Sequence, residues 1–292
     1  MGHQVVCACR AVSLEHYQDL RRRRLEGLAQ TPGIEWRWGL SFGDEAFVQL
    51  AGEGPWDLLA HHAAQVGDYK SPAFDVNGAL AANTRNLREV LAAMTAAGSR
   101  RVLLSGSIFE PDEGAPSPTP RAFSPYGLSK GLTYQVYRYH AEMAGMALGK
   151  FVIPNPFGPL EEPRFTAHLM RTWREGKVVE VKTPDYVRDN IHVNLLAQAY
   201  RTCAEKLVAG SASVMRFNPS GYAGSQGAFT ELYAREMRLR LGWPCELALA
   251  TQTDFAEPLE RVNTEPATQW AANWDEGNAW DGVAEYYRNG VA

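Results

Sequence analysis

The sequence is poor in cysteine and has no long hydrophobic run. Four of its 292 residues are cysteine, scattered at Cys7, Cys9, Cys203 and Cys245. Their spacing matches no zinc site, and residues two apart on a flat strand form a poor disulfide, so we expect neither a metal site nor a disulfide framework. Because the sequence has no signal peptide and no apolar run near ~18 residues, it predicts a cytoplasmic protein without a membrane span.

Neither sign of charge is in large excess. The chain carries 29 basic and 33 acidic residues, a formal net charge of −4. This balance gives no indication of nucleic acid or of an anionic membrane as a partner. The hydrophobic fraction of 45% is that of an ordinary soluble globular protein, long enough for one large or two modest domains.

Short apolar strands alternate with amphipathic helices through the first half of the chain. The predicted strands are 5–9, 34–38, 56–60, 102–104 and 150–153, and the predicted helices are 14–28, 44–51, 80–97 and 123–145. This alternation predicts an α/β fold with a parallel sheet covered by helices on both faces. Ligands of such sheets bind outside the carboxyl ends of the strands.

The most informative stretch follows the strand at 102–104. That strand ends in Ser105-Gly106-Ser107, and after a polar loop at 111–120 the next helix begins with Tyr126 and Lys130 on one face. Because a neighbouring ammonium favours the phenolate, we predict that Lys130 lowers the pKa of Tyr126 towards the range of a useful acid or base. The hydroxyl of Ser105 is placed to bind the same substrate oxygen.

One Tyr-x-x-x-Lys pair is a weak signal in a chain with 12 tyrosines. The strand-end Ser105, 21 residues before Tyr126, strengthens it. Three further segments complete the pattern: His-His-Ala-Ala at 61–64, Asn-Pro-Phe-Gly-Pro at 155–159 and Val-Arg-Asp-Asn-Ile-His-Val at 187–193. The whole resembles the extended branch of the short-chain dehydrogenase/reductase superfamily, the NAD-dependent epimerases and dehydratases that modify nucleotide sugars.

The resemblance implies a catalytic site of Ser105, Tyr126 and Lys130. Tyr126 would be the acid–base group on a sugar hydroxyl, and Ser105 would hydrogen-bond the reacting oxygen. Lys130 would also hold the nicotinamide ribose.

The resemblance also implies substrate contacts from Ser107, Asn155 and Arg188, the last two at the nucleotide diphosphate. Two alternatives stay open. Asn155 lies between two prolines, where a turn residue is common, and Arg188 has Asp189 and Asp185 as candidate structural partners.

The implied cofactor is NAD or NADP. By position, the resemblance brings Cys9, Arg10, Ala63, Asn83 and Lys130 to the cofactor. Cys9 falls where the family usually has the acidic residue that binds the adenosine ribose. Because the neighbouring Arg10 could accept a 2′-phosphate, the resemblance leans slightly towards NADP.

The family's Gly-x-x-Gly-x-x-Gly motif, which lets a pyrophosphate approach a helix start, is not found between the first predicted strand and helix. Either the chain begins one strand and one helix late in the family pattern, or strand 5–9 is the first strand with a rewritten loop. The turn at Gly2-His3 favours the late start. We therefore predict poor NAD(P) binding and an open slot in the sheet, filled by a rearranged strand, a partner chain or nothing.

The resemblance implies a Rossmann-like domain at 1–153, with 187–217 returning to it, and a smaller substrate domain at 154–186 and 218–292. We expect Trp270, Trp274 and Trp280 to anchor the smaller domain. The leading function is an NAD(P)-dependent nucleotide-sugar epimerase, dehydratase or reductase, and a homodimer is compatible with it. The alternative is a degenerate member without redox activity that serves as a binding or partner subunit, or an N-terminally incomplete copy of the enzyme.

Overall fold

The structure, a computed structural model, describes residues 2–114 and 121–290, so the loop expected at 111–120 lies partly outside the described residues. The strands are β1 Val5–Cys9, β2 Ile34–Trp38, β3 Leu59–His61, β4 Arg101–Ser107, β5 Ala147–Ile153, β6 Asn155–Phe157, β7 Val179–Val181, β8 Val187–His192, β9 Val214–Phe217, β10 Pro219–Ser220, β11 Tyr222–Ser225, β12 Leu247–Leu249, β13 Glu260–Arg261 and β14 Glu265–Pro266. The helices are α1 Asp19–Leu28, α2 Glu45–Gly52, α3 Val76–Asn83, α4 Leu87–Ala96, α5 Pro125–Met143, α6 Phe165–Arg174, α7 Val193–Ala209, α8 Gln226–Leu241 and α9 Glu276–Arg288.

The main sheet is parallel, in the order β3-β4-β5-β9, and both of its faces are covered. On one face Val102 and Leu104 pack with α4 and α5, and on the other Leu103 and Phe151 pack with α7. Strands buried on both sides are the hallmark of an α/β sheet. The predicted α/β, Rossmann-like fold is confirmed. Among the described residues, no helix combines the length and the apolar character needed to cross a membrane.

Strands β1 and β2 form a parallel pair of their own, with Cys7 opposite Trp36. Within the described ranges, no hydrogen-bonded ladder joins this pair to β3, so one edge of β1 and one edge of β3 lack a partner strand. Polar contacts attach the pair and its helix to the rest: Arg24 of α1 donates to the carbonyl of Leu160 at 2.6 Å and pairs with Glu162 at 2.8 Å. Among the described residues, β1-β2 and β3-β4-β5-β9 are therefore separate parallel sheets, and the open slot stays a prediction.

Two predicted elements differ from the structure. The helix expected at 80–97 is two helices, α3 and α4, because Asn86 adopts a left-handed conformation (φ 46°) where the chain passes close to another segment. A Cβ on Gly43 would lie 1.9 Å from the carbonyl oxygen of Arg85, so the two segments almost touch. The strand expected at 56–60 begins only at Leu59, because the amide of Trp56 donates to the hydroxyl of Ser99 (2.7 Å) and is not part of a ladder.

A second sheet lies in the later part of the chain. Strand β8 runs between β11, which is antiparallel to it, and β13, and it also pairs with β6. A separate hydrophobic cluster packs against this part and includes Phe157, Tyr233 and Trp280. The prediction for the other two tryptophans is wrong: Trp270 and Trp274 pack in the cluster around α7, against the main sheet.

Candidate functional site

The candidate site lies where β4 ends and α5 begins. Ser107 is the last residue of β4. Helix α5 starts at Pro125 and is capped by Ser124, whose hydroxyl accepts from the amide of Gly127 at 3.1 Å. A Cβ on Gly127 would come within 2.0 Å of the carbonyl oxygen of Phe109, so only glycine lets the helix start this close to the loop after β4. This close approach brings Tyr126 to the end of β4.

The serine that interacts with Tyr126 is Ser107. A hydrogen bond with the Ser107 hydroxyl acts to lower the pKa of the Tyr126 phenol. The hydroxyl of Ser105, which the sequence prediction placed there, lies instead 2.7 Å from Nδ1 of His62. Both serines face the same side of the strand. Ser105 lies two residues, or about 7 Å, further from the carboxyl end of the strand than Ser107 does. The serine hydroxyl that acts on the Tyr126 phenol is therefore that of Ser107.

Lys130 is buried, with 4% of its surface exposed, and its ammonium donates to the backbone carbonyl of Ser105 at 2.7 Å. Burial lowers the pKa of Lys130 and raises the pKa of Tyr126. The predicted lowering of the Tyr126 pKa is therefore corrected. The ammonium is directed to a carbonyl oxygen, and the desolvation of the phenol outweighs the lowering by Ser107 and by the charge of Arg164.

Aromatic rings surround the Tyr126 side chain. The rings of Tyr69, Phe74 and Phe109 meet it with centroids 5.8, 6.0 and 6.2 Å away. The guanidinium of Arg164 lies over the ring of Tyr69, 5.1 Å from its centroid. These rings remove water from the phenol, which explains why burial is the largest influence on its pKa.

The two residues predicted to hold a diphosphate both have partners within the chain. The side-chain amide of Asn155 donates to the carbonyl of Asp189 at 2.9 Å, across the β6–β8 pair. Arg188 pairs with Glu257 at 3.0 Å and donates to the carbonyl of Leu259 at 3.1 Å. Asp189, one of the two candidate structural partners, instead accepts two backbone amides, so the alternative pairing of Arg188 with Asp189 is wrong.

Arg261 is a residue that the sequence analysis missed. Its guanidinium lies over the rings of Phe123 and Phe109, at 3.7 and 4.5 Å, next to the aromatic wall of Tyr126. Its Nη2 is 3.5 Å from the same Glu257 carboxylate that binds Arg188, while its buried Nε and Nη1 have no hydrogen-bond partner among the described residues. No sequence signal marked it, because the tail around 257–261 follows none of the motifs used for the prediction.

The residues predicted to contact a cofactor lie in different settings. Cys9 is half-buried and its thiol interacts with Tyr17, while Arg10 and Ala63 are exposed. Asn83 is buried, and its amide oxygen accepts from the backbone of Gln65 at 2.8 Å. Asn83 therefore holds the segment after β3 in place.

The connection from β1 to α1 does not fit a dinucleotide pyrophosphate. Residues 10–18 contain no glycine, so side chains would keep a phosphate away from the backbone. The helix begins with the acidic Asp19, and Gln18 before it provides no side-chain cap. A carboxylate at a helix start opposes a second anion. The two ends of a dinucleotide have candidate contacts, but the β1–α1 connection offers none to its pyrophosphate.

The glycine spacing of the family motif does occur later, at Gly221, Gly224 and Gly227, immediately before and within the start of α8. The first amides of that helix already have partners. Gln226 and Gly227 donate to the carbonyls of Tyr186 and Pro184, both at 2.9 Å, and the amide of Ala228 donates to the Ser225 hydroxyl.

These amides are therefore not free to bind a phosphate. The glycines serve packing instead, since a Cβ on Gly221 would lie 2.5 Å from the carbonyl oxygen of Asn190.

Comparison with known proteins decides the family. The model of the NAD dependent epimerase/dehydratase family matches residues 10–216, which is most of the chain. The chain belongs to this family. A search of curated proteins found no match. Over residues 2–114 and 121–290, no group of three or more His, Cys, Asp or Glu side chains is arranged to hold a metal ion.

Solved structures of nucleotide-sugar enzymes share the fold of this family member. A mutant UDP-glucuronic acid 4-epimerase from Bacillus cereus, in complex with UDP-4-deoxy-4-fluoro-glucuronic acid and NAD, is 14% identical; the match covers 98% of this chain and 91% of that one, with a TM-score of 0.72. A UDP-Glc/GlcNAc 4-epimerase from Campylobacter jejuni is 16% identical, with 99% and 93% covered and a TM-score of 0.71. A double mutant of a dTDP-glucose 4,6-dehydratase from Streptomyces venezuelae, with NAD bound, is 16% identical, with 98% and 88% covered and a TM-score of 0.69.

Proposed function

We propose that this family member acts on the sugar of a nucleotide sugar, as an epimerase, dehydratase or reductase, with Tyr126 as the acid–base group. The observation that carries the proposal is the position of Tyr126 at the start of α5, against the loop after β4, where the Ser107 hydroxyl acts on its phenol. The substrates named for proteins of the same fold, UDP and dTDP sugars, support the substrate class.

In this proposal each side chain has a separate task. Tyr126 exchanges a proton with a sugar hydroxyl, and Ser107 aligns that oxygen by a hydrogen bond. The positive charge of Arg164 favours the phenolate. Lys130 holds the end of β4 in place through the carbonyl of Ser105. Ser105 itself, bound to His62, takes a supporting role.

A nicotinamide dinucleotide would supply the hydride chemistry of such a reaction. Because the β1–α1 connection does not fit its pyrophosphate, we assign no step to it. Arg10 is exposed, and we propose that it gives a slight preference for a 2′-phosphate, and therefore for NADP.

Arg188 and Arg261 form the proposed diphosphate site. Both guanidinium groups contact one carboxylate, that of Glu257, which occupies the place that an anionic ligand would take. Two guanidinium groups provide the fixed donor geometry that suits a diphosphate. Asn155 borders this site through β6, and its amide is already bound to a backbone carbonyl.

Substitution of the two arginines tests this site. Arg188→Ala or Arg261→Ala should weaken the binding of UDP or dTDP by about tenfold to a hundredfold, because a charge-assisted hydrogen bond contributes roughly 1.5–3 kcal/mol. Glu257→Gln should tighten binding, because it removes the carboxylate that competes with the ligand. Calorimetric titration measures all three, with Arg138→Ala, an exposed arginine on α5, as the control. Unchanged affinity in both arginine variants would contradict the assignment.

The rate should also depend on pH. Burial raises the pKa of Tyr126 above its usual value near 10, so the phenolate is a small fraction at neutral pH. If the phenolate accepts the proton, the rate should rise about tenfold per pH unit between pH 7 and 9. Initial rates over this range, in constant ionic strength, measure the slope. A rate that falls with rising pH would be inconsistent with a phenolate base.

A second candidate function has its own support. The unpaired edges of β1 and β3, together with the absence of a pyrophosphate site between β1 and α1, favour a binding or partner subunit without redox activity. Such a subunit would bind nucleotide diphosphates through Arg188 and Arg261 but would not convert the sugar with either NAD or NADP. Product analysis of UDP-sugar and dTDP-sugar mixtures, with each cofactor added, separates the two functions.

A further inference from the structure

Lys150 is a buried cation in the middle of the main sheet. It lies on β5 between Leu104 of β4 and Arg216 of β9, and 1% of its surface is exposed. Its ammonium is 2.5 Å from Oε2 of Glu110 and 2.6 Å from Oε1 of Glu113. A charge in such a position requires partners of opposite charge, because its desolvation is otherwise too costly.

Glu110 connects this cation to the proposed site. Its second oxygen, Oε1, accepts from the backbone amide of Ser107 at 2.8 Å. The hydroxyl of the same Ser107 interacts with Tyr126. A continuous path of contacts therefore leads from Lys150 through Glu110 and Ser107 to the phenol.

Gly106 makes this path possible. A Cβ at this position would lie 2.8 Å from Cε of Lys150 and 3.1 Å from Oε1 of Glu110. A side chain would therefore force the ion pair away from the end of β4. The neighbouring ion pair therefore explains why Gly106, the middle residue of Ser-Gly-Ser, is a glycine.

The cluster is balanced in charge. Glu113 also pairs with Arg216 at 2.8 Å, so two carboxylates face two cations. Other charged or titratable groups act on Tyr126 or Lys130 from the surrounding elements. From the loop after β4, Glu110 acts on both; Arg164 before α6 and Tyr69 in the loop after β3 act on Tyr126, and Lys150 of β5 acts on Lys130.

We propose that Lys150 and Glu110 are a positioning pair for the acid–base site. Glu110 fixes the backbone of Ser107 so that its hydroxyl meets Tyr126, and Lys150 neutralises the carboxylate that would otherwise oppose a phenolate. Neither side chain touches the substrate. The role rests on the proposed function of Tyr126, but the arrangement can be tested without any substrate.

The test is the titration of Tyr126 in the full-length chain. Tyrosine labelled with ¹³C at Cζ reports the phenol in NMR spectra, and Tyr126→Phe assigns its resonance. Glu110→Gln removes the negative charge but keeps an oxygen for the Ser107 amide, so the pKa of Tyr126 should fall by about one unit. Lys150→Met leaves the carboxylate without its partner, so the pKa should rise. In the double variant, the pKa of Tyr126 should return towards its value in the unsubstituted chain.

Opposite shifts separate this role from a merely structural one. A loosened site would move the pKa of Tyr126 in the same direction in both variants, and such a result, or no shift in Glu110→Gln, would overturn the proposal. If Lys150→Met does not fold, the downward shift in Glu110→Gln alone decides. The matched control is the ion pair of Lys177 and Glu175, which has a 2.6 Å contact but is exposed; Lys177→Met and Glu175→Gln should leave Tyr126 unchanged.

Because the titration needs no turnover, its result is independent of the proposed function. If the pKa of Tyr126 shifts in opposite directions but the chain converts no nucleotide sugar, the positioning pair is supported and the proposed enzyme function is rejected. If the chain converts a nucleotide sugar but the shifts are not opposite, the enzyme function is supported and the positioning pair is rejected.

Discussion

Tyr126→Phe is expected to lower the turnover of a nucleotide sugar by about 10²–10⁴-fold, the usual contribution of a positioned acid–base group. The substitution removes only the hydroxyl oxygen, and the ring contacts with Tyr69, Phe74 and Phe109 remain available to phenylalanine. The loss should therefore appear in kcat, while the affinity for the nucleotide diphosphate stays close to its original value. Initial rates, with NAD or NADP added well above about 1 mM because weak dinucleotide binding is expected, and calorimetric titration on the same preparation measure both quantities.

Tyr139→Phe is the matched control, because Tyr139 lies on the same helix with 61% of its surface exposed. It should leave both quantities unchanged. Retention of most of the activity by Tyr126→Phe, with unchanged folding by circular dichroism, would show that another group moves the proton.

The two serines provide a companion comparison. Ser107→Ala removes the hydroxyl that interacts with Tyr126 and should lower kcat by about tenfold to a hundredfold, the effect of losing a hydrogen bond of roughly 1.5–3 kcal/mol to a charged group. Ser105→Ala removes the hydroxyl that binds His62 and should affect kcat less. A larger loss of kcat in Ser105→Ala than in Ser107→Ala would assign the catalytic role to Ser105.

The chain is expected to bind NAD, NADH, NADP and NADPH with dissociation constants weaker than about 1 mM, which corresponds to about 4 kcal/mol of binding free energy. A pyrophosphate carries two negative charges that need free backbone amides and the positive end of a helix dipole. The β1–α1 connection has no glycine, and Asp19 adds a like charge at the helix start. The glycine-spaced start of α8 has its amides occupied.

Among the described residues, the remaining candidate contacts for a dinucleotide lie at its two ends. One of the three N–H donors of Lys130 binds the Ser105 carbonyl, and Arg10 and Ala63 lie exposed on separate segments. Such contacts must still offset several kcal/mol of lost translational and rotational freedom. Calorimetric titration with all four dinucleotides checks the prediction, and UDP titrated into the same preparation tests whether the diphosphate half is intact. Micromolar binding of any dinucleotide would show that the chain holds the pyrophosphate in another way.

Local patterns were sufficient for much of the fold. The alternation of apolar strands and amphipathic helices predicted β1, β2 and β4 at or close to their observed positions and assigned the α/β class correctly. The same patterns failed where distant segments meet. The helix expected at 80–97 is broken near Asn86 because Gly43 approaches Arg85, a contact between residues that are far apart in the sequence.

The sequence by itself placed Tyr126 and Lys130 on one face of a helix that follows a strand ending in serine, because helical and strand periodicity are local properties. Tertiary structure decided which serine meets the phenol, since only the approach of α5 to the loop after β4 distinguishes Ser107 from Ser105. It also decided the sign of the Tyr126 pKa shift, because burial depends on rings brought together from separate segments. The Lys150–Glu110 pair and the contact of Arg188 and Arg261 with one carboxylate join residues from different elements, and no spacing along the chain encodes a contact between side chains that only folding brings together.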